Sequence, residues 1–194
     1  MRNDQLSFKY SLQNDEVLYA EEDISIVSFS DIKNLIQMAK RTMRKRIRLC
    51  AHPSSLNHVH DMLIIHFHDT YVRPHKHLGK DETFHIIEGR LKIVIFHDDG
   101  SIFKIIDLNE YSSKGNFFYR MSKSYYHTVI PLSQVVVFHE TTKGPFVEED
   151  TIFPPWAPDG ENKNDVKKFL GAIKQKIPKY KKFKEEETAE SIGS

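Results

Sequence analysis

Residues 75–89 read HKHLGKDETFHIIEG, and the spacing of this stretch determines how the rest of the chain is interpreted. Because side chains alternate faces along a strand, His75 and His77 are expected to point to the same side. The short loop at residues 78–80 can turn the chain, so that Glu82 opens a following strand and faces both histidines. Two imidazoles and a carboxylate on one face suit Fe²⁺, Mn²⁺, Ni²⁺, Co²⁺ or Zn²⁺. The stretch therefore predicts a metal site built on β-strands.

A simpler explanation is that these are surface histidines on strands. The chain has 11 histidines in 194 residues, so one H-x-H pair carries little information by itself. The whole pattern H-x-H-x4-E-x6-G between apolar runs is much rarer by accident, and it favours the metal site.

The pattern resembles the first motif of the cupins, G-x5-H-x-H-x3–4-E-x6-G, which belongs to small β-barrels with a metal near the barrel mouth. Asp69 stands where the motif has its leading glycine. The second cupin motif, P-x-G-x2-H, corresponds to SKSYYH at residues 122–127, where serines replace the proline and the glycine. The resemblance implies that His127 is the fourth ligand.

The remaining sequence is typical of a mainly β chain. From residue 47 onward, eight or more short apolar runs alternate with turn residues and have no interleaved helices, which favours a sandwich or closed barrel. Ser30 is a candidate N-cap for a helix over residues 31–40. Asn164 or Asp165 is a candidate cap for a second helix that Pro178 ends. With the resemblance, the expected fold is a cupin (a double-stranded β-helix, or jelly-roll-like barrel) with an N-terminal helix and a C-terminal helical extension.

Three segments are expected along the chain. Residues 1–46 would hold N-terminal strands and the first helix, and residues 47–145 the cupin barrel. Residues 146–194 would hold a Pro/aromatic wrap, the C-terminal helix and a charged tail. The wrap is predicted because FPPWAP at residues 153–158 is too rigid and apolar for an idle linker.

Composition excludes several classes of protein. The 22.7 kDa chain is 39% hydrophobic and 28% charged, as in soluble globular domains. Its net charge of +1 gives no global field for nucleic acid. The single Cys50 excludes an intramolecular disulfide and suits a reducing compartment. Because there is also no apolar signal-peptide core and no apolar run of about 20 residues, we expect a cytoplasmic protein without a membrane span.

Four segments narrow the resemblance within the cupins: YVRPHKH (71–77), ETFHIIEG (82–89), HETTKGP (139–145) and FPPWAP (153–158). Together they resemble the WbuC family of cupin-fold metalloproteins, over about residues 40–160. This resemblance implies one bound divalent metal and a place in bacterial gene clusters for O-antigen, lipopolysaccharide and other surface polysaccharides. It does not imply an agreed reaction. By analogy with cupins in general, a homodimer is expected.

Further residues are candidates for contact with a substrate. Arg73 and Tyr71 share the metal-facing side if one strand runs continuously into His75 and His77. The cations Arg46, Arg48, Arg73 and Lys143 would hold a phosphate or carboxylate of the substrate. His139 or Glu140 would act as a general base, and Tyr71 would donate a hydrogen bond. Each also has a structural explanation, namely a rim ion pair for Arg73, packing for Tyr71 and a solvated helix end for the basic run near Arg46.

Three functions are consistent with these residues. The first is a metal-dependent isomerase or epimerase that acts on a phosphorylated or nucleotide-activated sugar. The second is an Fe²⁺ oxygenase, an activity that the resemblance implies because cupins with three histidine ligands and one glutamate commonly have it. The third is a non-catalytic sugar-binding module with a structural metal. Metal-independent sugar epimerases of the cupin fold use a His-Asp pair instead, so the intact four-ligand set argues against that mechanism.

Overall fold

The computed structural model describes residues 6–192, with side chains up to residue 177. The chain divides into two compact units after Pro154. Between residues 6 and 154, the first unit contains helix α1 (Phe29–Arg41), two short 3-10 turns (Tyr111–Ser113 and Glu148–Asp150) and twelve strands. The strands are β1 (Tyr10–Asn14), β2 (Val17–Ala20), β3 (Arg46–Cys50), β4 (Val59–Phe67), β5 (Lys76–His77), β6 (Glu82–Glu88), β7 (Arg90–Phe96), β8 (Ile102–Asn109), β9 (Phe118–Met121), β10 (Tyr126–Pro131), β11 (Val135–Lys143) and β12 (Thr151–Ile152).

The described strands form three sheets. A seven-stranded sheet has the order β1-β2-β3-β4-β11-β6-β9, a three-stranded sheet the order β10-β7-β8, and β12 pairs with β5. Every pairing is antiparallel except that of β2 with β3. The mainly β architecture predicted from the sequence is confirmed.

The main hydrophobic core contains side chains from both larger sheets. Phe138 of β11 and Ile86 of β6 come from the seven-stranded sheet, and Ile93 of β7 comes from the three-stranded sheet; each is at most 1% exposed. Along β6, Phe84 and Ile86 are buried while His85 is exposed, which is the period of two expected for a strand with one face in the core.

A second core lies where α1 packs against the seven-stranded sheet. Leu35 and Ala39 of the helix are fully buried with Ile47 and Leu49 of β3. Because residues alternate along β3, its arginines point away from this core. This alternation directs Arg46 and Arg48 into the cavity described below.

Helix α1 begins earlier than the sequence suggested, because its N-cap is Ser28 rather than Ser30. The Ser28 hydroxyl accepts a hydrogen bond from the Asp31 backbone N–H, and the Asp31 carboxylate accepts one from the Ser28 backbone N–H. This reciprocal capping box places Asp31 at the third helical position, where a carboxylate also favours the positive end of the helix dipole.

The turn that closes the first motif requires a glycine. Gly89, between β6 and β7, has a φ of +82°, which residues with a side chain rarely adopt. A Cβ there would lie 2.5 Å from the Val135 carbonyl oxygen. The final glycine of the pattern is therefore explained by backbone geometry.

The chain before the first motif is not a strand, so the continuous strand expected from Tyr71 to His77 is wrong. Residues 70–74 are irregular, and β5 contains only Lys76 and His77. Pro74 interrupts the strand because it has no N–H for the ladder. His75 instead exchanges two backbone hydrogen bonds with His127 of β10, at 3.1 and 2.9 Å.

The second unit contains helix α2 (Lys163–Ile192). The sequence-based expectation that Pro178 ends this helix is wrong. A proline removes one backbone hydrogen bond and kinks a helix, but it does not have to terminate it. Within this unit the Trp156 ring stacks on Phe169, with centroids 6.2 Å apart. Among residues 6–192, no helix is both long and apolar enough to cross a membrane.

Candidate metal centre

Three histidines predicted as metal ligands lie together. One ring nitrogen from each of His75, His77 and His127 lies within 4.8 Å of the others. The backbone pairing of His75 with His127 brings the two motifs together, and β5 then places His77 beside them. The ring centroid of His75 is 4.8 Å from that of His77 and 4.6 Å from that of His127.

Hydrogen bonds orient the three rings so that one nitrogen of each is left for a metal. The Nδ1 of His75 lies 2.8 Å from the Arg73 carbonyl oxygen, and the Nδ1 of His127 lies 3.1 Å from the Tyr125 carbonyl oxygen. A carbonyl oxygen only accepts, so each Nδ1 carries the proton and each Nε2 is available as a ligand. The Nδ1 of His77 lies 3.2 Å from the Thr151 hydroxyl of β12.

Glu82, the fourth predicted ligand, lies against this cluster of three histidines. Its carboxylate is buried, and its Oε2 lies 3.0 Å from the His127 Nε2. Its Oε1 is buried without a hydrogen-bond partner, which is a costly arrangement for a carboxylate oxygen. A divalent cation held by three imidazoles and this carboxylate would satisfy that oxygen, so the residues fit the predicted metal.

The electrostatics of the four groups suit metal binding as well. Burial, reinforced by His127 and His77, lowers the pKa of His75 to about 3, so this ring is neutral and its lone pair is free. Burial alone would raise the pKa of Glu82, but His127 reverses that effect and lowers it. Burial alone would lower the pKa of His127, but the Glu82 carboxylate raises it. The Glu82 carboxylate and the His127 ring therefore stabilise each other's charged form, and a bound cation would stabilise the same carboxylate.

A cavity of about 390 Å³ opens beside this cluster, with His75 and His77 in its wall. The predicted substrate-binding residues Arg46, Arg48 and Lys143 line the same cavity, together with Arg44 and Lys80. The carboxylates in the lining are Glu16 and Glu140. With five Lys and Arg side chains against two carboxylates, the cavity favours an anionic ligand.

Glu140, one of the two predicted general bases, lies in this wall on β11. Burial, reinforced by the nearby Glu82 carboxylate, raises the pKa of Glu140 to about 8. A carboxyl group with a pKa near neutrality can both accept and return a proton, as general acid–base chemistry requires.

Three other predicted residues do not line the cavity. Arg73 lies with its guanidinium 4.7 Å from the centre of the Phe153 ring. His139 points to the opposite face of β11 from Glu140, and its Nε2 lies 3.3 Å from the Asp61 carboxylate. Tyr71 lies in the irregular segment before β5. Their roles in catalysis or binding stay predictions.

Sequence reasoning missed several residues that shape the site. Thr151, which contacts His77, is 74 residues further along the chain.

Other residues that the sequence did not indicate lie around the cavity. Glu16 binds both Arg44 and Arg46. Lys80 donates to the Pro145 carbonyl oxygen and lies 3.4 Å from Asp150. The hydroxyl of Tyr119 is buried without a hydrogen-bond partner, and the Glu82 charge and burial both raise its pKa. Only the strand alternation of Tyr119 could have indicated an inward position.

Comparison with known proteins supports the fold. A family model described as a domain of unknown function (DUF6016) matches residues 27–108, from the residue before the α1 cap to β8. No curated protein matches the chain. Protein SO0799 from Shewanella oneidensis matches with a TM-score of 0.50 and 9% identity, over 62% of this chain and 82% of that one.

Structures of oxalate decarboxylase from Bacillus subtilis match with a TM-score of 0.40 and 15% identity. These matches cover 50% of this chain, and the chain spans 24% of the length of the oxalate decarboxylase chains. Protein SO0799 is a cupin-fold protein, and the predicted cupin fold is confirmed. The fold and the three-histidine cluster support a metal-binding cupin.

Proposed function

We propose that the protein is a metal-dependent cupin enzyme of the isomerase or epimerase type that acts on a phosphorylated or otherwise activated sugar. The observation that carries this proposal is that the histidine cluster, a cationic wall and Glu140 all border one cavity. That combination provides a place for a metal, an anion and a proton-transferring group within reach of a single ligand.

Each residue has a role in this reaction. His75, His77, Glu82 and His127 would hold the metal, which when bound supplies Lewis-acid polarisation of a sugar carbonyl or hydroxyl. Arg48 and Lys143 would bind the phosphate, next to Arg46, whose Nε is paired with Glu16. Glu140 would take a proton from the carbon next to the carbonyl and return it to the neighbouring carbon; inversion, as in an epimerase, would need a second acid on the opposite face of the sugar. Such an isomerisation is redox-neutral and needs no co-reactant.

The biological setting in this proposal comes from the sequence. The resemblance to the WbuC family motivates a role in bacterial surface polysaccharide biosynthesis, in O-antigen or capsule. A cytoplasmic location and a homodimer belong to the same proposal. The cavity supports the anionic part of the substrate, while the sugar part depends on the resemblance.

Hydrogen exchange tests the proposed reaction directly. The protein would be purified without a His tag or chelator, its metal content measured, and the loaded protein incubated anaerobically with sugar phosphates in D₂O. We expect NMR to detect deuterium at the carbon next to the carbonyl. The E140Q variant should lose this exchange and keep its metal, whereas the exposed-site control E88Q should keep both.

The other outcomes identify the alternatives. A product that forms only with ferrous iron and O₂ would assign the protein to the oxygenases and contradict the proposal. About one metal per chain with no turnover under either atmosphere would indicate a non-catalytic binding module.

A further inference from the structure

We propose that Arg48 is the anion receptor of this cavity, and that it binds the single phosphate or carboxylate group of a compact, monosaccharide-sized substrate. This inference rests on the proposed function and narrows it, because it removes nucleotide-activated sugars from the substrate class. The inference depends on which cations in the cavity wall already have partners within the protein.

Most cations of the cavity wall have partners within the protein. Glu16 is buried and binds the Nε of Arg44 at 2.8 Å and the Nε of Arg46 at 2.9 Å. Lys80 donates to the Pro145 carbonyl oxygen at 3.0 Å and is paired with Asp150. The charges of these three cations are therefore largely balanced by partners within the protein. Their contacts connect β2, β3 and the segment after β11.

Arg48 differs from them because its Nε is buried and has no hydrogen-bond partner. Among the side chains of residues 6–177, no carboxylate lies within ion-pair distance of it, and the Glu140 carboxyl of the same wall interacts with it only at longer range. The Cys50 thiol lies close to it but is a weak partner. A buried, charged donor without a partner is unfavourable, and the guanidinium fork is suited to bidentate binding of a phosphate or carboxylate.

The position of Arg48 connects this anion site to the metal centre. Arg48 lies in the middle of β3, between Val17 of β2 and Ile64 of β4, so its backbone is fixed by strands on both sides. Its side chain borders the same cavity as His75 and His77. One small molecule can therefore reach both the metal ligands and the guanidinium.

The size and lining of the cavity argue against a nucleotide. A volume of about 390 Å³ is at the lower end of the range of roughly 300–1,000 Å³ for ligand pockets. Among the described lining residues, the aromatic ring other than histidine is Phe146, and the Lys80 ammonium lies 5.7 Å from its centre. The ring of His60, which also lines the cavity, is already stacked on that of His52, with centroids 4.2 Å apart. A nucleotide-activated sugar would also bring a base, a ribose and a second phosphate.

Anion binding to the metal-loaded protein tests this assignment. Inorganic phosphate and acetate would be titrated by calorimetry into the wild type and into the R48Q, R48K and R44Q variants, after metal content and folding are checked for each. We expect phosphate affinity to fall by about 10- to 100-fold in R48Q, the range for loss of a charge-assisted hydrogen-bond pair. R44Q removes a charge from the same wall and should lose less than about threefold, since Arg44 is paired with Glu16.

R48K keeps the positive charge but loses the two-pronged guanidinium geometry, so its affinity for phosphate should lie between those of the wild type and R48Q. If R48Q does not fold, R48K takes its place in the comparison. Tighter binding of phosphate than acetate would identify a phosphorylated substrate, and the reverse order a carboxylated one. The inference is overturned if the wild type binds neither probe at millimolar concentration, if R48Q binds like the wild type, or if UDP-glucose binds more tightly than glucose 1-phosphate.

The two proposals fail separately. If R48Q loses phosphate binding but the wild type shows no hydrogen exchange with any sugar phosphate, the receptor is supported and the isomerase reaction is not. If exchange occurs and R48Q leaves its KM unchanged, the reaction is supported and Arg48 is not the receptor.

Discussion

The Nε2 of His127 lies 3.0 Å from the Oε2 of Glu82, and both side chains are almost completely buried. This contact joins β10 of the three-stranded sheet to β6 of the seven-stranded sheet. It holds two of the four proposed ligands in contact before a metal arrives, and the buried Oε1 of Glu82 remains free to accept a cation. Glu82 and His127 are therefore held in contact by their own electrostatic attraction.

Glu82→Gln tests the contribution of the carboxylate charge. The amide keeps the size of the side chain but neither balances His127 nor offers a charged oxygen to the metal. We expect metal affinity to fall by at least about 10- to 100-fold, the range found even for outer-shell partners of metal ligands. Competition with a chelator measures this change. Glu88→Gln, exposed on the same strand, is the control, and equal affinity in both variants would contradict the assignment of Glu82.

Thr151→Val tests the outer shell of the site. The Thr151 hydroxyl lies 3.2 Å from the His77 Nδ1, and valine keeps the branched shape but cannot hydrogen-bond. Because this contact orients the ring, we expect metal affinity to decrease by about 10- to 100-fold in the valine variant. Thr151→Ser retains the hydroxyl and should bind metal like the wild type. If valine and serine behave alike in chelator competition, the hydroxyl does not position His77.

The ligand cluster could be predicted from the sequence because its information is local. His75, His77 and Glu82 lie within eight consecutive residues, and the alternation of a strand and the length of one loop are enough to bring them together. His127 came from the resemblance, and the structure shows why it is near: its backbone pairs with His75.

The rest of the site depends on contacts between distant segments, which a single sequence does not specify. Thr151 reaches His77 only because β12 returns to pair with β5. Glu16 directly precedes β2, and the parallel pairing of β2 with β3 brings it to Arg44 and Arg46, with which it forms ion pairs. The expected positions of Tyr71 and Arg73 assumed a continuous strand. Pro74 interrupts that strand, so the alternation of side chains cannot be extended back to these two residues.

Asp31 makes the free energy of unfolding of the first unit depend on pH. It is 1% exposed, and burial alone would raise its pKa, but hydrogen bonds from Ser28 and Ser7 lower the pKa from 3.8 to about 2. Because the folded-state pKa is the lower one, this stabilisation is complete above about pH 4 and is lost as the pH falls towards 2. The shift corresponds to about 2 kcal/mol of unfolding free energy.

Asp31→Asn should therefore lower the free energy of unfolding by about 2 kcal/mol at pH 6. The difference from the wild type should shrink as the pH falls from 4 to 2. Urea unfolding at several pH values measures both quantities, with the exposed Asp23→Asn as a control. A difference that stays constant between pH 6 and 2 would show that the Asp31 charge is not responsible.

Tyr119 and Tyr126 provide a matched pair for testing the unpaired hydroxyl in the core. Both rings are buried, at 7% and 8% exposure, but the Tyr119 hydroxyl has no partner, whereas the Tyr126 hydroxyl is hydrogen-bonded to Lys76. Burial of an unsatisfied hydroxyl costs roughly 1–3 kcal/mol, so its removal in Tyr119→Phe should leave the free energy of unfolding of the metal-free protein unchanged or raise it.

Tyr126→Phe removes a satisfied hydroxyl and should lower the free energy of unfolding by about 0.5–1.5 kcal/mol. Denaturant unfolding of both variants, without metal, separates the two cases. A loss above about 1 kcal/mol in Tyr119→Phe would mean that its hydroxyl has a stabilising partner in the folded protein. The expected contrast would instead show that the Tyr119 hydroxyl is a buried donor without a partner that lowers the stability of the fold.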